Sequence, residues 1–145
     1  MKRDNKGFSL LELLIVVAII LIIATIAIPS LLRSRQAANE SAAVAQLRTV
    51  NTAQVTYLSS SGGYYGTLAQ LVSSGLLDSR FSATPALVSG YTFTVSTDGN
   101  YYSAFASPAS ANTGRYGYYS LADAVVRYST VTGLFPAGKD GAPVQ

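Results

Sequence analysis

The stretch KGFSLLELL places a carboxylate, Glu12, four residues after Phe8 and five after Gly7, inside an otherwise almost unbroken apolar run. An ionised carboxylate alone in hydrocarbon costs several kcal/mol, so Glu12 must be protonated or must find a cation. Little else in the chain is equipped for chemistry. Cysteine and histidine are absent, which removes thiol nucleophiles, disulfides, Cys/His zinc sites and imidazole acid–base catalysis. The acids after Glu40 are Asp78, Asp98, Asp123 and Asp140, and Lys139 is the one lysine beyond the first six residues. They form neither a paired-acid motif nor a Ser-x-x-Lys pair, and no phosphate-cradling glycine motif is present. No enzyme is expected, and no catalytic residue, metal or cofactor is assigned. Asp140, in KDGAPVQ, is a thin basis for a calcium site that needs six to eight oxygen ligands.

The element that carries Glu12 runs from Phe8 to Ile28, 21 residues broken only by Ser9, Glu12 and Thr25. A helix of that length spans roughly 30 Å, the thickness of a bilayer's hydrocarbon core. Lys2, Arg3 and Lys6 precede it and predict a cytoplasmic N-terminus with the rest of the chain outside. They also account for most of the basic balance. From Phe8 onward seven Lys/Arg face six Asp/Glu, so nucleic acid is not indicated despite a pI near 9.3.

Three accounts of this segment compete. A cleaved secretory signal would carry an apolar region of only about 7–15 residues ending at a small-residue site, and this run is longer. A plain signal anchor for a periplasmic binding domain explains length and orientation but leaves Glu12 without a reason. The third account is a resemblance. KGFSLLELLIVVAIILIIATIAIP resembles the N-terminus of type IV prepilins and of the related pseudopilins of type II secretion systems. The likeness rests on a short basic leader (1–7) ending in Gly7, on Phe8 as first mature residue, on Glu12 as the fifth, and on Pro29 after the apolar run. It is strong over about residues 1–35 and looser to about residue 77.

That resemblance implies cleavage by a prepilin peptidase between Gly7 and Phe8, and N-methylation of the new Phe8 amine. It implies a single-pass precursor in the inner membrane, then an extracellular helical filament, built by an assembly platform and an extension ATPase from copies of this chain. The cation that Glu12 requires would be the Phe8 amine of a neighbouring copy. Such a pair fixes subunit register, because removing one partner strands a buried charge at about 3–5 kcal/mol. A neutral Glu12, or one reaching the headgroups, is the plainer alternative. The expected function is a structural subunit of a type IV pilus, the major pilin foremost, with a type II secretion pseudopilin as the alternative. No small-molecule substrate is expected.

Pro29 is expected to kink a helix that continues beyond it. Ala43, Leu47, Val50, Ala53 and Tyr57 recur at three- and four-residue spacings, forming an apolar stripe, with Arg33, Arg35, Glu40, Arg48 and Asn51 mostly elsewhere on the wheel. The expected spine helix, 8–58, would be about 75 Å long. Ser59 to Gly63 stops it. The head, 59–145, then reads as helix or loop over 59–90, with Gly75 as a stop, and antiparallel strands over about 91–129. YTFTVS (91–96) and YYSAFAS (101–107) alternate in period two around Asp98-Gly99-Asn100, a hairpin turn. Tyr116 to Ser129 holds one long or two short strands, and 130–145 is read as an irregular tail. The fold class is α+β, pilin-like: a long helix packed on a small antiparallel sheet.

Two features of the head invite a functional reading. Tyr64, Tyr65, Tyr101, Tyr102, Tyr116, Tyr118 and Tyr119 are candidate adhesive or subunit contacts, since tyrosine combines area with a hydroxyl at small entropy cost. Stacking for electron transport is a bolder version, and ordinary half-buried strand residues the plainer one. The loop ASPASANTG, with Ser107, Ser110 and Thr113, and the run Ser59-Ser60-Ser61 have the composition of O-glycosylated segments, or of plain flexible loop. Asn39-Glu40-Ser41 matches an N-glycosylation sequon but falls within the expected helix.

Overall fold

A computed structural model describes residues 7–129 and 141–144. The chain divides into two compact units after Ser34. Helix α1 covers Leu10–Ser60, 51 residues, and Pro29 lies inside it. The first unit holds its apolar part. Here the large aliphatic side chains from Leu10 to Ile28 stand exposed, and an 18-residue window of mean hydropathy 3.1 has none of its residues buried. Pro29 offers no amide hydrogen, so the carbonyl four residues before it has no helical donor.

In the second unit α1 supplies one wall of a core and a six-stranded antiparallel sheet supplies the other. The strands are β1 (Ala86–Val88), β2 (Tyr91–Thr97), β3 (Tyr102–Pro108), β4 (Tyr118–Leu121), β5 (Val126–Tyr128) and β6 (Ala142–Pro143). They lie side by side in chain order. Register places Phe93, Ala106, Tyr118 and Tyr128 in one row across the sheet, and Val95, Ala104, Ser120 and Val126 in the next. Ala43, Val44, Leu47, Val50 and Ala53 of α1 join these rows in the core. Phe81 meets Phe93 edge-on at 5.4 Å.

Between helix and sheet lies α2 (Leu68–Ser73), started by a reciprocal cap. The Gln70 amide N–H donates to Thr67 Oγ1 at 3.3 Å, and the Thr67 N–H to Gln70 Oε1 at 2.8 Å. A 3-10 turn at Ser79–Phe81 follows.

Several elements depart from the sequence reading. The stretch read as helix or loop to residue 90 contains β1, joined to β2 by Ser89-Gly90 with both residues at positive φ, 51° and 77°. That is the backbone of a two-residue hairpin turn. Residues 141–144, within the expected irregular tail, include β6, which pairs with Arg127 and Tyr128. Tyr116 to Ser129 resolves into two short strands. Glu40 and Asn51, expected off the packed face of α1, are buried there, together with Gln54. Each is accepted because a distant backbone segment supplies polar partners.

Candidate functional site

Among the described residues the N-terminal constellation is open. Gly7 has nothing within 4 Å of where a Cβ would stand, and Phe8 is 81% exposed. Ser9 precedes α1, and its carbonyl accepts the Leu13 N–H at 3.2 Å. Glu12, third residue of the helix, reaches back so that Oε2 accepts the Ser9 N–H at 3.0 Å. This is one half of a capping box: the carboxylate satisfies an amide that the first helical turn leaves without a partner. The sequence carries this cap as Ser9-x-x-Glu12, the spacing at which a carboxylate at the third helical position reaches the backbone N–H ahead of the helix. One Glu12 oxygen is therefore engaged within its own chain, on the amide that follows Phe8. Lys2, Arg3 and Lys6 lie outside the described residues.

The candidate tyrosines separate sharply. Tyr64 and Tyr101 are exposed, at 57% and 70%. Tyr102, Tyr118 and Tyr119 are buried, which corrects their nomination as surface contacts. Adjacent residues in a strand face opposite sides, so a Tyr-Tyr pair in β4 commits one ring to each face. Tyr118 joins the helix-facing core, while Tyr119 packs against Phe105 at 5.0 Å on the other side. Tyr65 and Tyr116 are half-buried, Tyr65 against Tyr102 at 4.8 Å and Tyr116 against Tyr128 at 5.6 Å. Burial pushes the phenols of Tyr91 and Tyr102 well above their ordinary range. Tyr118 rises to about 12, from burial first and the nearby Glu40 carboxylate second.

The candidate modification loop is fastened to α1. Gln36 Nε2 donates to the Ala111 carbonyl at 2.9 Å, Asn39 Nδ2 to the Thr113 carbonyl at 2.9 Å, and Glu40 accepts from Arg115. The Thr113 hydroxyl donates to the Ser110 carbonyl at 2.8 Å and accepts the Ser110 N–H at 3.0 Å, so it is occupied within the loop. Ser107 is half-buried with its hydroxyl 3.5 Å from the Thr92 carbonyl, whereas Ser110 is exposed. The hydroxyls of Ser59, Ser60 and Ser61 donate to the carbonyls of Val55, Tyr57 and Tyr64. Asn39 of the sequon lies in α1 with its amide engaged. Asp140 and Lys139 lie outside the described residues.

Residues 2–28 match the family model described as the prokaryotic N-terminal methylation motif. Over 87 residues the chain is 41% identical to the type IV wide pilus major component PilA4 of Thermus thermophilus, covering 60% of this chain and 66% of that protein. The chain is similar to type IV pilins over these stretches. It is also 43% identical over 60 residues to the type IV major pilin protein PilA of Myxococcus xanthus, 41% of this chain and 27% of that protein. The matched stretch spans just under two thirds of the first relative and about a quarter of the second.

The long N-terminal helix and the small antiparallel sheet form the α+β fold expected from the resemblance. The polar clasps that join them were not foreseen. Gln54 is fully buried, donates from Nε2 to the Gly66 carbonyl at 2.6 Å and accepts the Gly66 N–H at 3.0 Å. Asn51 donates to the Ala124 carbonyl at 3.1 Å and accepts the Tyr102 hydroxyl at 2.9 Å.

Proposed function

We propose that this chain is a structural subunit, the major pilin, of a type IV pilus, and that it works as a building block rather than as an enzyme. A prepilin peptidase cuts between Gly7 and Phe8, the Phe8 amine is methylated, and the apolar part of α1 holds the subunit in the inner membrane with its N-terminus cytoplasmic. Assembly by an extension ATPase and its platform then moves that segment out of lipid and against the same segment of other copies, yielding a filament on the cell surface. Glu12 pairs with the Phe8 amine of a neighbour and sets register, and Pro29 kinks the helix.

The observation that carries this reading is the exposure of every large aliphatic side chain from Leu10 to Ile23, on a helix that opens with a carboxylate. Such a surface is stable only in lipid or against other apolar helices. The acid is at odds with the first and useful in the second. The test is N-terminal sequencing and intact mass of material sheared from cells. The expected result is filaments whose subunit begins at methylated Phe8. A chain recovered with Met1 attached, and no filaments, overturns it.

A further inference from the structure

Three ion pairs hold the acids and bases of the second unit together: Asp78 with Arg80 at 3.0 Å, Glu40 with Arg115 at 3.1 Å, and Asp123 with Arg127 at 2.7 Å. Among the described residues of that unit, Asp98 is the acid that has no cation, and Arg35 and Arg48 are the bases that have no acid. Asp98 sits at the turn between β2 and β3, where Oδ1 accepts the Asn100 and Tyr101 N–H groups at 3.0 and 2.8 Å. The exposed Tyr101 follows in the chain, and exposed Tyr64 packs beside the same turn. The Tyr65 N–H donates to the Gly99 carbonyl at 2.8 Å, and Tyr64 Cδ1 lies 3.3 Å from where a Gly99 Cβ would stand. Ser61 Oγ holds the Tyr64 carbonyl at 2.6 Å, and Thr97 Oγ1 the Tyr101 carbonyl at 2.8 Å. The result is a knob at the β2–β3 turn that carries one carboxylate, Asp98, and two exposed rings, Tyr64 and Tyr101.

Elsewhere on the same unit is a groove of about 440 Å³ lined by Arg48, Asn51, Thr52, Val55, Thr56 and Ala124. Val55 is 51% exposed there. The hydroxyls of Thr52 and Thr56 turn back onto the carbonyls of Arg48 and Thr52, at 3.0 and 2.9 Å. Asn51 is spent on Tyr102 and Ala124. Covering this groove would therefore orphan no polar group, which is the usual penalty for burying a polar surface. Its one charge is the Arg48 guanidinium.

We propose that the Asp98–Tyr101–Tyr64 knob of one copy seats in the Arg48–Val55–Thr56 groove of the next. The occupant is a second copy because the unmatched charges are complementary and the groove lies on α1, the helix through which the proposed filament is built; the inference rests on that reading. Knob and groove are different surfaces, so the contact is head-to-tail and propagates into an open array instead of closing a symmetric pair. The rings supply the apolar burial. The Asp98–Arg48 pair, exposed and individually weak, selects the register.

The absence of cysteine gives a clean background for the test. Ser59→Cys with Asn100→Cys in one chain, exposed positions beside the groove and the knob that leave the contacting side chains intact, bridged in sheared filaments by a short bis-maleimide, gives a ladder of dimers, trimers and longer species. Each single variant stays monomeric on the gel, and a mixture of the two singles stops at dimers. In a second arm, Asp98→Arg lowers filament yield roughly fivefold or more through like-charge repulsion. Arg48→Asp in the same chain restores it, and Arg35→Asp does not. Filaments without the ladder, a product that stops at dimers in the double variant, or rescue by Arg35→Asp overturns the contact while leaving the filament standing. Wild-type chain that never polymerises removes the filament reading, and this contact with it.

Discussion

Glu40 and Arg115, 75 positions apart in the chain, are joined by three hydrogen bonds. Oε1 accepts the Arg115 backbone N–H at 2.8 Å and Nε at 3.2 Å, and Oε2 accepts Nη2 at 3.1 Å. The carboxylate is buried while the guanidinium stays half-exposed over the Tyr116 ring, 5.1 Å from its centre. Glu40→Ala removes all three bonds and loosens the loop before β4, which Gln36 and Asn39 still hold to α1. The expected cost is about 2–3 kcal/mol, since hydrogen bonds to a charged group are worth more than neutral ones. Thermal unfolding of the detergent-solubilised chain, followed by circular dichroism, reads it. Arg115→Ala, which leaves the Arg115 N–H bond in place, is expected to lower the midpoint less.

Gln54 binds both backbone groups of Gly66, closing the segment that follows α1 back onto the helix. Gln54→Ala leaves a buried N–H and a buried carbonyl unmatched, and about 2–4 kcal/mol of stability is expected to go. Gly66→Ala attacks the same clasp from the other side. A Cβ there would stand 2.9 Å from Tyr57 Cε1, so the ring must shift. Both variants are expected to lower the unfolding midpoint, and the double variant by less than the sum. Additive effects would argue against a shared clasp.

Ser120 is fully buried, and its hydroxyl has no hydrogen-bond partner. Its neighbours across the sheet are Ala104 and Val126. Ser120→Ala removes a desolvated polar group without opening a sizeable hole, so the midpoint is expected to rise by an amount equivalent to about 1 kcal/mol. A fall would point to a polar partner for that hydroxyl.

Alkaline pH is expected to unfold the sheet. Tyr91, Tyr102 and Tyr118 hold their protons more tightly folded than unfolded, so the folded state binds more protons once pH passes the unfolded value of 10.0. Stability is full below about pH 10 and falls above it, by at most about 4 kcal/mol per pH unit for three such groups. Absorbance of the phenolate, measured alongside circular dichroism, should show part of the tyrosine signal ionising only as the structure is lost. Phenolate formation complete before any unfolding would contradict this.

Glu12→Ala is expected to enter the membrane and lose its leader normally yet assemble poorly. Immunoblotting separates precursor from mature chain, and electron microscopy counts filaments. Abundant normal filaments would remove the register role. The variant also removes the Ser9 N–H partner, so Glu12→Gln, which keeps an acceptor for that amide, separates the cap from the charge.

What could be read from the residues was whatever repeats locally. Period two in Tyr91–Ser96 and Tyr101–Ser107, the Asp98-Gly99-Asn100 turn, and the stripe from Ala43 to Tyr57 all describe neighbours in the chain. Strands β1 and β6, with three and two residues, are too short to show alternation. The Ser89-Gly90 turn beside β1 was a signal that went unused. Burial of Glu40, Asn51 and Gln54 was illegible for a different reason. A polar residue enters a core only when its partner arrives, and the partners of Glu40 and Asn51 lie more than fifty residues downstream. The tyrosines show the converse: composition announced them, but only strand register decided which ring faced solvent.

The strands lie in the order in which they are written. No later strand has to push between two earlier ones, and each new one needs only the edge left by its predecessor. Loop closure is then a short-range affair, which favours rapid folding. A polypeptide that emerges in chain order can thus lay down its sheet in step with its own arrival, without waiting for the last residues before the first pair can form.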